Sequence, residues 1–372
     1  MAKVELWQLK QRQGLPLELK IKMSLQRIKD FYEGNNGKVY ISFSGGKDST
    51  VLLHLVRSIY PDVEAVFVDT GLEYPEIKDF VNKQNNVKII RPKLSFKQVI
   101  DKYGYPVISK KVARQIHDLQ NPTKKNQATR TLYFKGIKRD GTETNSFKLP
   151  KKWHKLIRAP FKISDKCCNV MKKTPFRIYG KATGNKGYVG TMASDSQQRE
   201  SSYLKTGCNN FKKGVSLPMA FWLEEDVWAY IKKFKLNYSS IYDTGVKRTG
   251  CMFCMFGIHL EKKPNRFMLM KKTHPQLYSY CIKKLELGKV LDFIEIDYGK
   301  QKELCLCKVM EVKQEAMQSQ ARHSSQAYYL SDKLVRTLDA IKKEVTKRDR
   351  DFLVTNAIAI PLHTHCFFKE QK

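Results

Sequence analysis

Long apolar runs are missing from this 372-residue chain. No stretch approaches the roughly 18 consecutive apolar residues that a membrane span needs, so no membrane partner is expected. The opening MAKVELWQLKQRQ contains no apolar segment of the secretory kind, and a cytoplasmic protein is the expectation. Cysteine is sparse for a disulfide scaffold, nine residues in all; in a reducing cytosol, clustered cysteines read as metal ligands or reactive thiols. Acidic residues are outnumbered: 36 Asp and Glu face 69 Lys and Arg, leaving a net charge of +33. Such an excess makes a polyanion the expected partner class, the plainer alternative being a lysine-rich composition of solvated side chains. What is present in ordinary measure, 41% apolar and 28% charged residues, excludes a disordered or collagen-like chain and supplies material for a core.

Residues 1–36 read as a helical segment, with Leu17, Ile21, Ile28 and Phe31 at apolar positions before Gly34-Asn35-Asn36-Gly37 breaks the pattern. Residues 37–109 alternate short apolar strands (39–43, 65–69, 87–90) with helical stretches. This is a βαβαβ pattern, which implies an α/β protein with a parallel sheet and ligands outside the carboxyl ends of its strands. Residues 110–162 carry 15 Lys or Arg against three acids, Asp118, Asp140 and Glu143, interleaved with Tyr133, Phe134, Trp153 and His154. Their apolar content looks too low for a core, so an insertion or mobile arm beside the site is expected. Residues 163–290 return to a mixed pattern, with a strand expected at 188–192 and a helix opening at Glu224-Glu225-Asp226; residues 291–372 read as a helical C-terminal region.

The strand at Val39–Phe43 runs into Ser44-Gly45-Gly46-Lys47-Asp48-Ser49 and then an apolar helix. Two glycines let backbone N–H groups turn inward and the helix N-terminus adds positive dipole, a recipe for holding phosphate. Lys47 supplies a mobile cation, Ser44 and Ser49 supply hydroxyls, and Asp48 caps the helix or approaches Mg2+. The competing explanation is a capped strand-to-helix turn. The Walker pattern GxxxxGK[ST] is absent.

Ser42 to Ser49 resembles the PP-loop of the N-type ATP pyrophosphatases, and Asp69-Thr70-Gly71-Leu72-Glu73-Tyr74-Pro75-Glu76 resembles the segment after the second strand in the phosphoadenosine phosphosulfate (PAPS) reductase family. The resemblance implies a Rossmann-like adenine nucleotide alpha-hydrolase fold. It further implies that Ser42, Ser44, Gly45, Gly46, Lys47, Asp48 and Ser49 face the nucleotide phosphates and that Asp69, Thr70 and Gly71 lie near the nucleoside.

Cys167-Cys168 and Cys251-Met252-Phe253-Cys254 are the two conspicuous cysteine pairs. A CxxC turn serves zinc sites and iron–sulfur clusters alike, whereas adjacent cysteines diverge and suit two corners of a larger cluster. By spacing alone a [4Fe–4S] cluster, a zinc ion and unrelated thiols all stay open. The surrounding Lys166 to Phe176 and Gly250 to Cys254 are similar to the tandem-cysteine and CxxC elements of cluster-bearing adenylylsulfate (APS) reductases, and Asp195 to Glu200 resembles that family's arginine-bearing segment, which adds Arg199 to the nucleotide contacts. That resemblance implies a [4Fe–4S] cluster on Cys167, Cys168, Cys251 and Cys254. Cys208, between the pairs, is a candidate persulfide carrier, although an isolated cysteine is more often a small core residue.

APS and PAPS reductases end in a Glu-Cys-Gly-[Ile/Leu]-His element, for which Thr364-His365-Cys366-Phe367 is a poor substitute, and their phosphate loop does not retain the lysine. Here the loop is complete. The leading expectation is therefore an ATP pyrophosphatase, binding ATP with Mg2+, that adenylylates an acceptor and supports cluster-dependent sulfur transfer, similar to enzymes of tRNA thiolation and DNA phosphorothioation. The basic residues 110–162 make nucleic acid, tRNA or DNA, the expected acceptor. A protein donor of sulfur or electrons fits the same scheme. Two alternatives remain: a sulfonucleotide reductase acting on APS or PAPS, and a nucleic-acid-binding protein that senses nucleotide without turnover.

Overall fold

The computed structural model describes residues 4–300. Two helices open the chain, α1 (Leu6–Gln13) and α2 (Leu17–Glu33), followed by β1 (Val39–Phe43), α3 (Lys47–Arg57), β2 (Ala65–Val68), α4 (Pro75–Asn82) and β3 (Val87–Ile90). The βαβαβ reading holds in type and order. Next come α5 (Phe96–Tyr103), β4 (Val107–Ile108), α6 (Lys110–Gln120), α7 (Gln127–Lys135), α8 (Thr174–Thr183) and β5 (Lys186–Val189). The strand expected at 188–192 thus starts earlier and ends at Val189. After α9 (Gln197–Thr206) the chain forms β6 (Asn209–Asn210), β7 (Val215–Ser216), α10 (Glu224–Lys233), β8 (Met255–Phe256) and α11 (Arg266–Thr273). Among the described residues no helix is long and apolar enough to cross a membrane.

The main sheet has the order β3-β2-β1-β5-β7-β6, parallel except for β6. From β1 the chain builds β2 and β3 on one side and only later β5 and β7 on the other. The strand order therefore reverses beside β1, the place where open α/β sheets receive ligands. β1 is flanked on both sides and almost wholly buried, which is why it reads as a continuous apolar run. The N-terminal helices are fastened to the sheet by specific bonds: the Tyr188 hydroxyl donates to the Ile28 carbonyl at 2.7 Å, and Trp222 Nε1 donates to Ser24 Oγ at 2.9 Å. Lys20 and Asp226 form a buried ion pair at 2.7 Å between α2 and α10.

Residues 110–162 are better anchored than their composition suggests. In α6, Val112, Ile116 and Leu119 repeat at helical spacing and bury into the main core, as do Leu149 and Leu156 further on. Residues 110–162, expected as an insertion or a mobile arm without a core of its own, form a helical outgrowth whose inner stripe joins the main core. Ser109 caps α6 by accepting from the Val112 N–H at 3.2 Å. A second, two-stranded sheet pairs β4 with β8 in parallel and so ties the start of this outgrowth to the residues just after Cys254.

Candidate functional site

The phosphate loop lies between β1 and α3. Gly45 has φ +72°, a left-handed conformation, and a Cβ there would lie 2.8 Å from both Ile77 and Val81, so glycine is required twice over. Ser49 Oγ accepts from the Ser44 N–H at 3.1 Å and donates to the Gly46 carbonyl at 2.9 Å, closing the turn with hydroxyls. The Lys47 ammonium is only 6% exposed and sits 2.8 Å from Asp48 Oδ1 and 3.3 Å from Glu224 Oε1. Burial works against this cation, but the Asp48 and Glu224 carboxylates outweigh it and raise its pKa above the usual lysine value. Asp48 is pushed upward by burial, with Asp195 and Glu224 adding to the rise and Lys47 opposing it. The Lys47 N–H donates to the Tyr242 hydroxyl at 2.9 Å, which in turn lies 3.0 Å from Thr249 Oγ1.

Around the loop, Asp69 follows β2, accepts from the Gly71 N–H at 3.1 Å and pairs with Lys78 at 2.9 Å and Arg91 at 3.1 Å. Burial would raise its pKa, but these donors hold it below the ordinary carboxylate range. Thr70 Oγ1 donates to Glu73 at 2.7 Å, fixing the turn after β2. Across the sheet, Arg199 is paired with Asp195 and lines a cavity of about 150 Å3 together with Thr191, Met192, Ser202 and Tyr203.

The four paired cysteines come together. Cys167, Cys168, Cys251 and Cys254 line one pocket whose remaining walls include Leu72, Phe96, Pro106, Met171 and Phe256. Cys167-Cys168 leads into a wide helical turn, Asn169–Lys173, that continues as α8, and Cys251 and Cys254 are joined by a 3.0 Å N–H to carbonyl bond across their turn. Burial pushes the Cys251 thiol up to about 11, and Cys167 and Cys254 are raised by the same cause, with neighbouring thiolate charge adding to it. A second layer holds the pocket: Lys172 lines it beside the cysteines, and Arg266, itself bound to Glu261, donates to the Cys254 carbonyl at 3.0 Å. Among the described residues no three His, Cys, Asp or Glu side chains close into a single-ion site; the four thiols meet around the shared pocket instead.

The two centres are joined by short connections. The Met252 N–H donates to the Leu72 carbonyl at 2.9 Å, linking the turn after β2 to the CxxC segment. The same segment reaches the phosphate loop through Tyr242 and Thr249, so one stretch of chain touches both. Ser42 ends inside β1, beneath the loop. Cys208 is elsewhere: it packs in the core by Tyr203, and burial pushes its thiol up to about 11 against the pull of Arg27 and Arg12. The structure does not bring it to the four-thiol pocket. Cys366 and His365 lie outside the described residues. Tyr242, Thr249, Glu224 and Lys172 were given no site role from the sequence, Glu224 being read only as a helix start; for Lys172, one helical turn after Cys168, spacing was an available signal.

Comparison with known proteins places this geometry in a family. The model of the phosphoadenosine phosphosulfate reductase domain matches residues 38–146 and 135–256. An uncharacterized protein of Methanocaldococcus jannaschii is 27% identical over 71% of this chain and 52% of its own length. A second relative from that organism is matched over 38% of its length, so the chain spans about half or less of these relatives. An adenosine 5'-phosphosulfate reductase of Anoxybacillus flavithermus is 24% identical over 75% of this chain and 99% of its own. Among solved structures, a phosphoadenylyl-sulfate reductase of Candida auris covers 67% of this chain and 97% of its own at TM-score 0.36, and the U34-tRNA thiolase of Methanococcus maripaludis, with its [4Fe–4S] cluster, covers 77% and 84% at TM-score 0.32; each is 16% identical. With the family model running from the first strand of the sheet to the residues just past the second cysteine pair, over more than half of the chain, this protein belongs to the phosphoadenosine phosphosulfate reductase domain family.

Proposed function

We propose that the protein is an ATP pyrophosphatase that activates an oxygen of nucleic acid and supports its replacement by sulfur. The observation that carries this reading is Lys47, a charged side chain enclosed at the phosphate loop between Asp48 and Glu224. In the first step an acceptor oxygen bonds to the α-phosphorus of ATP as the α–β bridging bond breaks, and pyrophosphate leaves with its electron pair. Lys47 and the N–H groups at the start of α3 stabilise the charge that builds on the leaving group, and Asp48 is placed to hold Mg2+ against the phosphates. In the second step sulfide attacks the activated carbon or phosphorus, and AMP departs with the original oxygen; no electrons are gained or lost.

The four thiols suit a [4Fe–4S] cluster: all are cysteine, all face one enclosed and largely apolar pocket, and backbone and side-chain donors support their segments. Such a cluster, held by Cys167, Cys168, Cys251 and Cys254, would supply iron with affinity for sulfide. Sulfonucleotide reduction is the second reading, favoured by the match to nearly the whole length of a relative named as an adenosine 5'-phosphosulfate reductase. The test is anaerobic purification with iron and sulfide quantification, followed by incubation with ATP, sulfide and either tRNA or DNA. AMP and pyrophosphate formed only with nucleic acid, and abolished in Lys47→Met, support the proposal. Sulfite release from APS or PAPS, with no pyrophosphate from ATP, transfers the assignment to the reductase.

A further inference from the structure

The outgrowth of residues 110–162 carries its charge in an unusual state. Of its 15 Lys and Arg, only Lys155 is ion-paired among the described residues, with Glu295. Lys124, Lys125, Lys135, Lys138, Arg139, Lys151 and Lys152 are all exposed. Positive charge left without carboxylate partners is what a phosphate backbone neutralises on binding, releasing its counterions.

The aromatic residues sort into two sets. Tyr133 and Trp153 pack against the main core, the latter edge-on to His259 with ring centroids 5.4 Å apart. Both are partly buried there and serve the packing. Phe134 and Phe147 instead stand 47% and 51% exposed among the lysines, and the Phe134 ring is stacked on His154 at 5.3 Å with 28° between planes. A flat aromatic face presented to solvent inside a cationic surface is the composition that grips unstacked bases, because every base has a π-face and stacking is indifferent to sequence. A duplex hides those faces and offers such a surface only its phosphates.

Both ends of the outgrowth are rooted at the thiol pocket. It leaves from β4, which is paired to β8 immediately after Cys254. It returns through Ile163, bridged to Tyr105, four residues before Cys167. Pro106, at its departure, is itself a wall of the pocket.

We propose that this outgrowth is a clamp for an unpaired stretch of nucleic acid, with the Phe134–His154 stack and Phe147 seating bases, the unpaired lysines and arginines following the backbone, and the root delivering the strand to the four-thiol pocket. The inference rests on the nucleic-acid acceptor proposed above and adds the form that acceptor takes: a loop, bulge or single strand, engaged by named residues.

The test is fluorescence anisotropy with the full chain, without ATP, using labelled 12-nucleotide single strands of mixed DNA and RNA sequence and the matching duplexes, over a salt series. The single strands bind at least about tenfold more tightly than the duplexes. The double variant Phe134→Ala/Phe147→Ala, both changes at exposed positions, loses at least about tenfold in single-strand affinity with an unchanged salt slope and unchanged melting temperature. The variant Lys138→Gln/Arg139→Gln lowers the slope of log affinity against log salt by about 1.4. Equal affinity for duplex and single strand, or wild-type binding by the double phenylalanine variant, overturns the clamp. The function proposed above fails separately: tight single-strand binding with no AMP or pyrophosphate from ATP removes the adenylylation and leaves the clamp standing.

Discussion

The Tyr242 hydroxyl accepts the Lys47 N–H at 2.9 Å, although 195 residues separate the two. That amide opens α3 and belongs to the group of donors that a phosphate oxygen takes up at a helix N-terminus. A side-chain oxygen thus occupies the position that the phosphate-loop reading reserves for nucleotide, and Thr249 Oγ1 braces it at 3.0 Å. The segment carrying both residues leads within two positions of Thr249 to Cys251.

Removing the competing hydroxyl therefore favours nucleotide. Tyr242→Phe is expected to bind ATP about threefold to tenfold more tightly than wild type, the worth of one hydrogen bond no longer exchanged. Trp228 reports the event independently, because its ring lies edge-on to Tyr242 with centroids 5.5 Å apart. ATP added to the wild-type protein changes Trp228 emission, and the change is lost in Trp228→Phe. Affinity unaltered by Tyr242→Phe, with Trp228 emission indifferent to ATP, would show that the hydroxyl and the nucleotide do not share this amide.

Of the five cysteines given candidate site roles, four share one pocket and Cys208 does not. Serine at Cys167, Cys168, Cys251 or Cys254 removes a thiol from the shared pocket, and each variant is expected to retain less than about half of the wild-type iron after anaerobic preparation, measured per chain with acid-labile sulfide. Cys208→Ser leaves the pocket intact and keeps its iron, since that thiol packs by Tyr203. Iron loss in Cys208→Ser equal to that in the other four would mean that it is a ligand.

Lys47 gives the pH dependence. Its folded pKa stands above the ordinary 10.5, because the Asp48 and Glu224 carboxylates outweigh the cost of burial. A cation whose pKa rises on folding contributes stability that is complete below the unfolded value and disappears only as pH climbs through the folded one. The stability difference between wild type and Lys47→Met is therefore expected to be constant, at about 1–2 kcal/mol, from pH 7 to pH 10 and to shrink above that. Asp48 runs the other way: raised by burial, its ionised form costs stability at neutral pH, and that cost is relieved as acid is added through its raised pKa. Urea midpoints across the pH range check both; a difference that fades below pH 9 would show that Lys47 is not held as a cation by these carboxylates.

The parts of this molecule that were legible in sequence are those whose causes are local. The strand, glycine turn and helix at Val39 to Arg57 lie in one continuous stretch, and burial on both sheet faces leaves β1 an unbroken apolar run. The four clustered cysteines were legible because short spacing survives folding. The inner stripe of α6 was hidden by averaging, since Val112, Ile116 and Leu119 are diluted by the lysines on the opposite face. Tyr133 and Phe134 are neighbours with opposite fates, one packed on the core and one exposed, a distinction that depends on where α7 rests. β4 and β8 are two residues each, too short for any period to register. The Tyr242–Lys47 bond is a tertiary contact with no signature in either segment.

The two loop glycines separate the phosphate site from its cover. A Cβ on Gly45 would meet Ile77 and Val81 at 2.8 Å and would have to exist at φ +72°, so Gly45→Ala strains the backbone and pushes against α4; a loss of about 2 kcal/mol in folding stability is expected. Gly46 has an ordinary extended conformation, and a Cβ there would meet Thr249 Oγ1 at 2.6 Å and the Tyr242 hydroxyl at 3.2 Å. The strain of Gly46→Ala thus falls on the ends of the Thr249 and Tyr242 side chains and not on the loop backbone, and little loss of stability is expected. Its signature is a Trp228 emission shifted in the absence of nucleotide toward that of the ATP-bound wild type, read alongside the melting temperature. A Gly46→Ala protein that melts as low as Gly45→Ala while its Trp228 emission stays at the nucleotide-free value would show that Tyr242 and Thr249 are a fixed part of the loop rather than its displaceable cover.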